Sequence, residues 1–131
     1  MWKKIAQKEK GQALVEMALI LPLLLLLVFG IIEFGRIFSA GLVVNHGARE
    51  GARLGAVGAL DSAIVTRVQN TAVTLDTSQL SVTVTPTETD RKRGGEVRVR
   101  VRYPVVVFAP FISVFTGETV TVEGISVMRV E

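Results

Sequence analysis

One carboxylate, Glu16, stands in an otherwise apolar run from Ala13 to Ile32, and of all the side chains in this sequence it is the best placed to do chemistry. Taking a charged group into hydrocarbon costs about 2.5–3.5 kcal/mol on insertion scales, so a partner cation or a function has to offset it. Just beyond the run, Glu33 and Arg36 are three residues apart and can pair on one helix face. Other candidates are poor. His46 is the only histidine and cysteine is absent. A histidine metal cluster, a catalytic histidine pair, a thiol nucleophile and a disulfide framework are therefore excluded. The sequence shows no phosphate-binding loop and no cleft-forming set of carboxylates, and the expectation is a protein that is not an enzyme and takes no cofactor or metal. Arg91, Lys92 and Arg93, together with Arg98, Arg100 and Arg102, could form a basic patch for DNA, anionic lipid or an acidic surface. Aromatic residues do not interleave with these arginines to stack bases. A solvated strand face paired with Glu88, Asp90 and Glu96 is the expectation, and nucleic acid is not an expected partner.

The element that carries Glu16 must be a helix. Twenty residues at about 1.5 Å each cover roughly 30 Å, the hydrocarbon thickness of a bilayer. A buried helix of a soluble domain would need apolar cover on all sides, and the roughly 80–90 residues left over are too few to supply it. The net charge of +3 resides in residues 1–11, where Lys3, Lys4, Lys8 and Lys10 face only Glu9, and the rest of the chain balances eleven basic against eleven acidic side chains. A lysine-rich start should stay cytoplasmic, which places residues beyond about 35 outside. An ordinary secretory signal fits less well, because Ala40 would need a small residue two places before it and Phe38 stands there. Pro22 removes the amide that would bond the Ala18 carbonyl, so a kink or local melting is expected around Ala18–Pro22.

Helical character is expected to continue from Glu33 to about Leu60, with Gly47, Gly51 and Gly55 beside Ala48, Ala52 and Ala56 making a flat packing face. Asp61 or Ser62 can cap a second helix with Ile64, Val65, Val68, Ala72 and Val73 on its apolar side. Leu80, Val82 and Val84 alternate with polar residues, as do Val97, Val99, Val101 and Tyr103 with Arg98, Arg100 and Arg102, and both stretches predict strands. Pro104 and Pro110 bracket a short apolar segment that can lie against the sheet, the bilayer or another subunit. A last strand is expected over Thr119–Val122 and Ile125–Val130, interrupted near Gly124 by a bulge. The fold class is α+β: a long N-terminal transmembrane helix, then a small head of three or four antiparallel strands with one further helix.

The string KGQALVEM followed at once by the apolar run resembles a class III prepilin signal. The longer stretch GQALVEMALILPLLLLLVFGIIEFGRIF, with NHGAREGARLGAV after it and ISVMRVE at the end, resembles TadE-like minor pilins, or pseudopilins, of the tight-adherence (Tad/Flp) pilus system. The resemblance is strong over about the first 57 residues. It implies cleavage between Gly11 and Gln12 by a membrane prepilin peptidase, and a carboxylate at Glu16 that pairs with the new α-amino group of a neighbouring subunit. Such a pair would set the axial register of one helix against the next, because either charge buried alone is costly. Major pilins of the system often carry an aromatic residue after this glutamate, and Met17 stands here, which fits a minor subunit. The implied organisation is a leader over 1–11, an assembly helix over 12–35, its extracytoplasmic continuation over 36–60 and a head over 61–131. The implied partners are the prepilin peptidase, major and minor pilins and the assembly platform in the inner membrane, with a homo- or hetero-oligomeric filament at the cell surface as the product. An uncut, single-span membrane protein whose head binds a ligand or partner is the alternative.

Overall fold

The computed structural model describes residues 2–131, with side chains described except at positions 2–10 and 110. The charges of Lys3, Lys4, Lys8, Glu9 and Lys10 therefore lie outside the described side chains. Helix α1 runs without interruption over Trp2–Ala56, and at about 1.5 Å per residue its 55 residues extend roughly 80 Å. It is helical across Gly11–Gln12 and through Pro22, so the local melting expected at Ala18–Pro22 is absent. One missing amide donor leaves the flanking hydrogen bonds to hold the turn.

The helix stops four residues before the expected Leu60. Gly58 adopts φ +80°, a left-handed conformation that costs glycine little. The amide of Ala59 donates to Leu54 O at 3.1 Å and that of Gly58 to Gly55 O at 3.1 Å, a Schellman closure that satisfies the last carbonyls. Helix α2 follows over Asp61–Thr71. Neither expected residue caps it. Leu60 occupies the cap position without a side-chain bond, and the Asp61 amide instead donates to Glu88 Oε2 at 2.7 Å, while Glu88 N donates to Asp61 Oδ2 at 3.2 Å. A residue 27 positions away caps this helix, which no local pattern could reveal.

The remainder is a three-stranded antiparallel sheet in the order β1-β2-β3, with β1 over Ser81–Thr85, β2 over Glu96–Val106 and β3 over Thr119–Arg129. The expected α+β class is the observed one. Alternation along β2 buries Val97, Val99 and Val101 completely, and Val99 and Val101 pack with Val44, Ala48 and Ala52 of α1 and with Ile64 and Val68 of α2. The head is thus two layers, a sheet on one side and the extracytoplasmic half of α1 with α2 on the other. Val73, expected on the apolar face of α2, is instead 74% exposed because the helix ends before it.

Two expectations for the strands need correction. Pro104 does not end β2, which pairs with β3 as far as Val106↔Thr119. The β1 pairing ends at Ser81↔Arg102, so at Pro104 the strand has a neighbour on one side only and a proline is tolerated there. Gly124 does not mark a bulge: β3 is continuous, with Gly124 opposite Val101 in regular register. It is glycine because β3 crosses α1 there, and a Cβ would lie 2.7 Å from Val44 O and 2.8 Å from both N and Cα of Asn45. A third helix, α3 over Pro110–Thr116, adds to the single further helix that was expected.

Candidate functional site

Three zones along α1 carry the residues singled out by the sequence. In the first, Gly11 is exposed with open space around its Cα, and Gln12 Nε2 donates to Glu16 Oε1 at 3.1 Å, one turn apart. The Glu16 carboxylate is exposed and, among the described side chains, meets this neutral amide alone. From Leu14 to Phe34 the large apolar side chains are exposed on every face, Leu19 at 73% and Leu27 at 56% among them. The most apolar 18-residue window of the helix has none of its residues buried. The head does not cover this rod, and water is a poor alternative: each fully exposed leucine or phenylalanine forgoes about 1.5–3 kcal/mol of burial.

The second zone is where the rod meets the head. Glu33 is 3% exposed, buried where the rod joins the head. Arg36 NH1 donates to its Oε1 at 2.9 Å, so the pair expected from i,i+3 spacing is formed. Arg36 also has both terminal nitrogens 3.4 Å from Val106 O and its guanidinium 4.5 Å from the centroid of the Phe108 ring. A cation over an aromatic face is attracted by the ring quadrupole. The sequence pointed to Glu33 and Arg36 but not to Phe108 or the Val106 carbonyl, which lie some 70 residues away and arrive through β2.

The third zone is the small-residue face. A Cβ on Gly51 would lie 2.8 Å from Val68 Cγ2 and 3.1 Å from Val99 Cγ1, and one on Gly55 would lie 2.9 Å from Val97 Cγ2. Gly47 faces Val68, with 3.2 Å available to its Cγ1. The three glycines thus open one groove that α2 enters from one side and β2 from the other. His46 is exposed on the same helix.

The basic residues do not act as one patch. Arg91 is drawn inward, its side chain 4% exposed, where NH1 donates to Ala59 O at 2.6 Å, Nε to Pro86 O at 3.3 Å, and NH2 pairs with Asp61 Oδ1. Burial pushes its pKa below the usual guanidinium value. On the outer face of the sheet, Arg102 pairs with Glu123, and Arg100 Nε lies 3.8 Å from Glu123 Oε2. The hydrogen bond from Arg102 holds the Glu123 carboxyl below its ordinary range, with the charges of both arginines adding to the effect. The expected partners Glu88, Asp90 and Glu96 are not the ones used. Cross-strand register puts Glu123 directly opposite Arg102, while Glu88 is engaged at the start of α2.

Fold and exposed surface define a class: a small α+β head mounted on one helix that is long and apolar enough to cross a membrane. Residues 11–53, less than half of the chain, match the family model described as TadE-like protein. That match begins at Gly11 and ends three residues before the end of α1, leaving most of the head outside it. No match was found among curated proteins or among solved structures.

Proposed function

We propose that this chain is a minor pilin of a tight-adherence pilus, cut after Gly11 by a prepilin peptidase and then drawn from the bilayer into a bundle of pilin helices. The observation that carries this reading is the bare apolar rod from Leu14 to Phe34, which coincides with a TadE-like match. A helical stretch whose large apolar side chains are left exposed by its own head has surface for lipid first and for neighbouring helices later. Exchange of one apolar surrounding for the other costs little, so small specific interactions decide the register. Glu16 is the group available for that task. In the uncut chain its carboxylate accepts a hydrogen bond from the Gln12 amide. Cleavage would turn residue 12 into a chain start with a cationic α-amino group near neutral pH, an opposite charge for Glu16 of an adjacent subunit. Orientation follows from the lysines of the leader, with the head outside the cytoplasm.

N-terminal mapping of the membrane-extracted protein by mass spectrometry tests this reading. Chains beginning at Gln12 are the expected result, and chains retaining Met1 in cells that possess the peptidase would replace the pilin reading with an uncut, single-span protein whose head binds a partner. Gly11→Ala is expected to leave most of the protein with its leader, and normal processing would refute the cleavage site. Glu16→Ala is expected to be cut normally yet be depleted from sheared pili by about tenfold or more, the equivalent of at least 1.4 kcal/mol of lost pairing. Full recovery of the variant in pili would show that charge pairing is dispensable.

A further inference from the structure

We propose that α3 and its flanking phenylalanines form a second membrane-contacting element, a short apolar foot seated in the outer leaflet beside α1. The proposal rests on the reading of α1 as a membrane span. From Tyr103 through Gly117 the chain carries no charged side chain, and Arg102 and Glu118 bound this interval. A head surface facing water has no use for what this interval exposes: Phe108 is 72% exposed, Phe111 64%, Val114 79% and Phe115 89%. The location of these side chains selects the occupant. Phe108, Phe111 and Ile112 line one cavity with Leu26, Phe29 and Ile32 of α1, so α3 lies alongside the outer end of the apolar rod. Leu26 precedes Arg36 by ten residues, so the cavity wall extends about 15 Å from the charged collar toward the centre of the rod. Whatever covers Leu26–Ile32 must also cover α3, because the two surfaces are continuous around this cavity.

The collar fits the same reading. Arg36 bridges Glu33, the Val106 carbonyl and the Phe108 ring, holding a cation and an aromatic side chain at one height along α1. Aromatic rings with a nearby cation are typical of the headgroup level, where one end of the group is wet and the other apolar. A short apolar helix lying in that plane would bury its phenylalanines between acyl chains. Lipid is favoured over a protein neighbour because the same surface is already required on α1, and no charge on α3 is available to select a protein.

Depth-resolved quenching in vesicles tests the idea on the full chain. Trp2 is the only tryptophan, so in a Trp2→Phe background single probes are placed at Phe115→Trp, at Leu26→Trp within the rod, and at Val57→Trp just past the far end of α1. Phosphatidylcholine vesicles with brominated acyl chains are compared with unbrominated ones. The expected result is loss of fluorescence at positions 26 and 115 to a comparable extent and none at 57. Quenching at 26 with position 115 behaving like 57 would overturn the foot while leaving the membrane span intact. Absence of quenching at 26 would remove the span, and the foot with it. A probe at 115 that is shielded from aqueous iodide yet insensitive to brominated lipid would identify a protein neighbour or second copy as the occupant, and would also overturn the proposal. Phe111→Trp serves as an independent probe of the same helix should the change at 115 disturb folding.

Discussion

Gly124→Val is expected to destabilise the head by about 3 kcal/mol, the upper end of what overpacking usually costs. Most tight contacts in a core can relax, because the facing atoms belong to side chains with other rotamers. At Gly51 and Gly55 the closest atoms are methyls of Val68 and Val97. At Gly124 they are Val44 O and the N and Cα of Asn45, all backbone atoms of α1. Helical backbone cannot withdraw locally without breaking its own hydrogen bonds, so the strand has to lift away. That lift would unseat Val99 and Val101, which are fully buried on the neighbouring strand at the same level. The check is a guanidinium unfolding series on the full chain in detergent, followed by near-ultraviolet circular dichroism. Gly41→Ala provides the contrast, since a Cβ there meets nothing within 4 Å. It should be neutral or gain up to about 1 kcal/mol from helix propensity. If Gly124→Val unfolds at the wild-type midpoint, β3 does not lie against α1 as described.

Arg91→Ala should cost about 2–3 kcal/mol, even though the residue belongs to a loop rich in charges. One guanidinium there holds three segments together: the Ala59 carbonyl after α1, the Asp61 carboxylate at the start of α2, and the Pro86 carbonyl after β1. Removing it leaves two carbonyls short of a donor and a partly buried carboxylate without its cation. The estimate is below the full cost of breaking a buried pair because Asp61 is 29% exposed and can recover some hydration. Arg91→Lys should rescue little, since a single ammonium lacks the planar fork that reaches three acceptors. Arg93→Ala, by contrast, removes an exposed side chain and should fall within about 0.5 kcal/mol of wild type. Amide hydrogen exchange would show the difference as early exposure of α2 and of residues 86–95 in Arg91→Ala alone. Protection equal to wild type in both segments would exclude the stapling role.

Sequence and structure part company in an orderly way. The alternation of valines with arginines over 97–102 made β2 legible, because one buried face and one wet face impose a period of two. Gly47, Gly51 and Gly55 were legible as a packing face from their spacing, since the helix repeat alone puts them in a row. Their partners were not, because Val68, Val97 and Val99 meet them only once α2 and the sheet have closed on α1. Gly124 was misread as a bulge for the same reason: an isolated glycine in a strand signals a local irregularity or a close approach, and only the crossing of α1 decides between them. Arg91, Arg98, Arg100 and Arg102 looked alike as charges, yet the first became a buried staple while Arg100 and Arg102 face Glu123 on the outer side of the sheet.

Two physical periods, a twenty-residue apolar run and a strand alternation, were enough for the sequence by itself to determine a bare rod, its collar pair Glu33–Arg36 and an α+β head. Such features depend on neighbours along the chain, and local chemistry records them. Only the tertiary structure decided what contacts Gly124, which acids answer the arginines, what caps α2, and that α3 returns to the outer end of the rod. Each of these is a meeting of segments about 20 to 80 residues apart, set by the one packing that covers the valine face of the sheet.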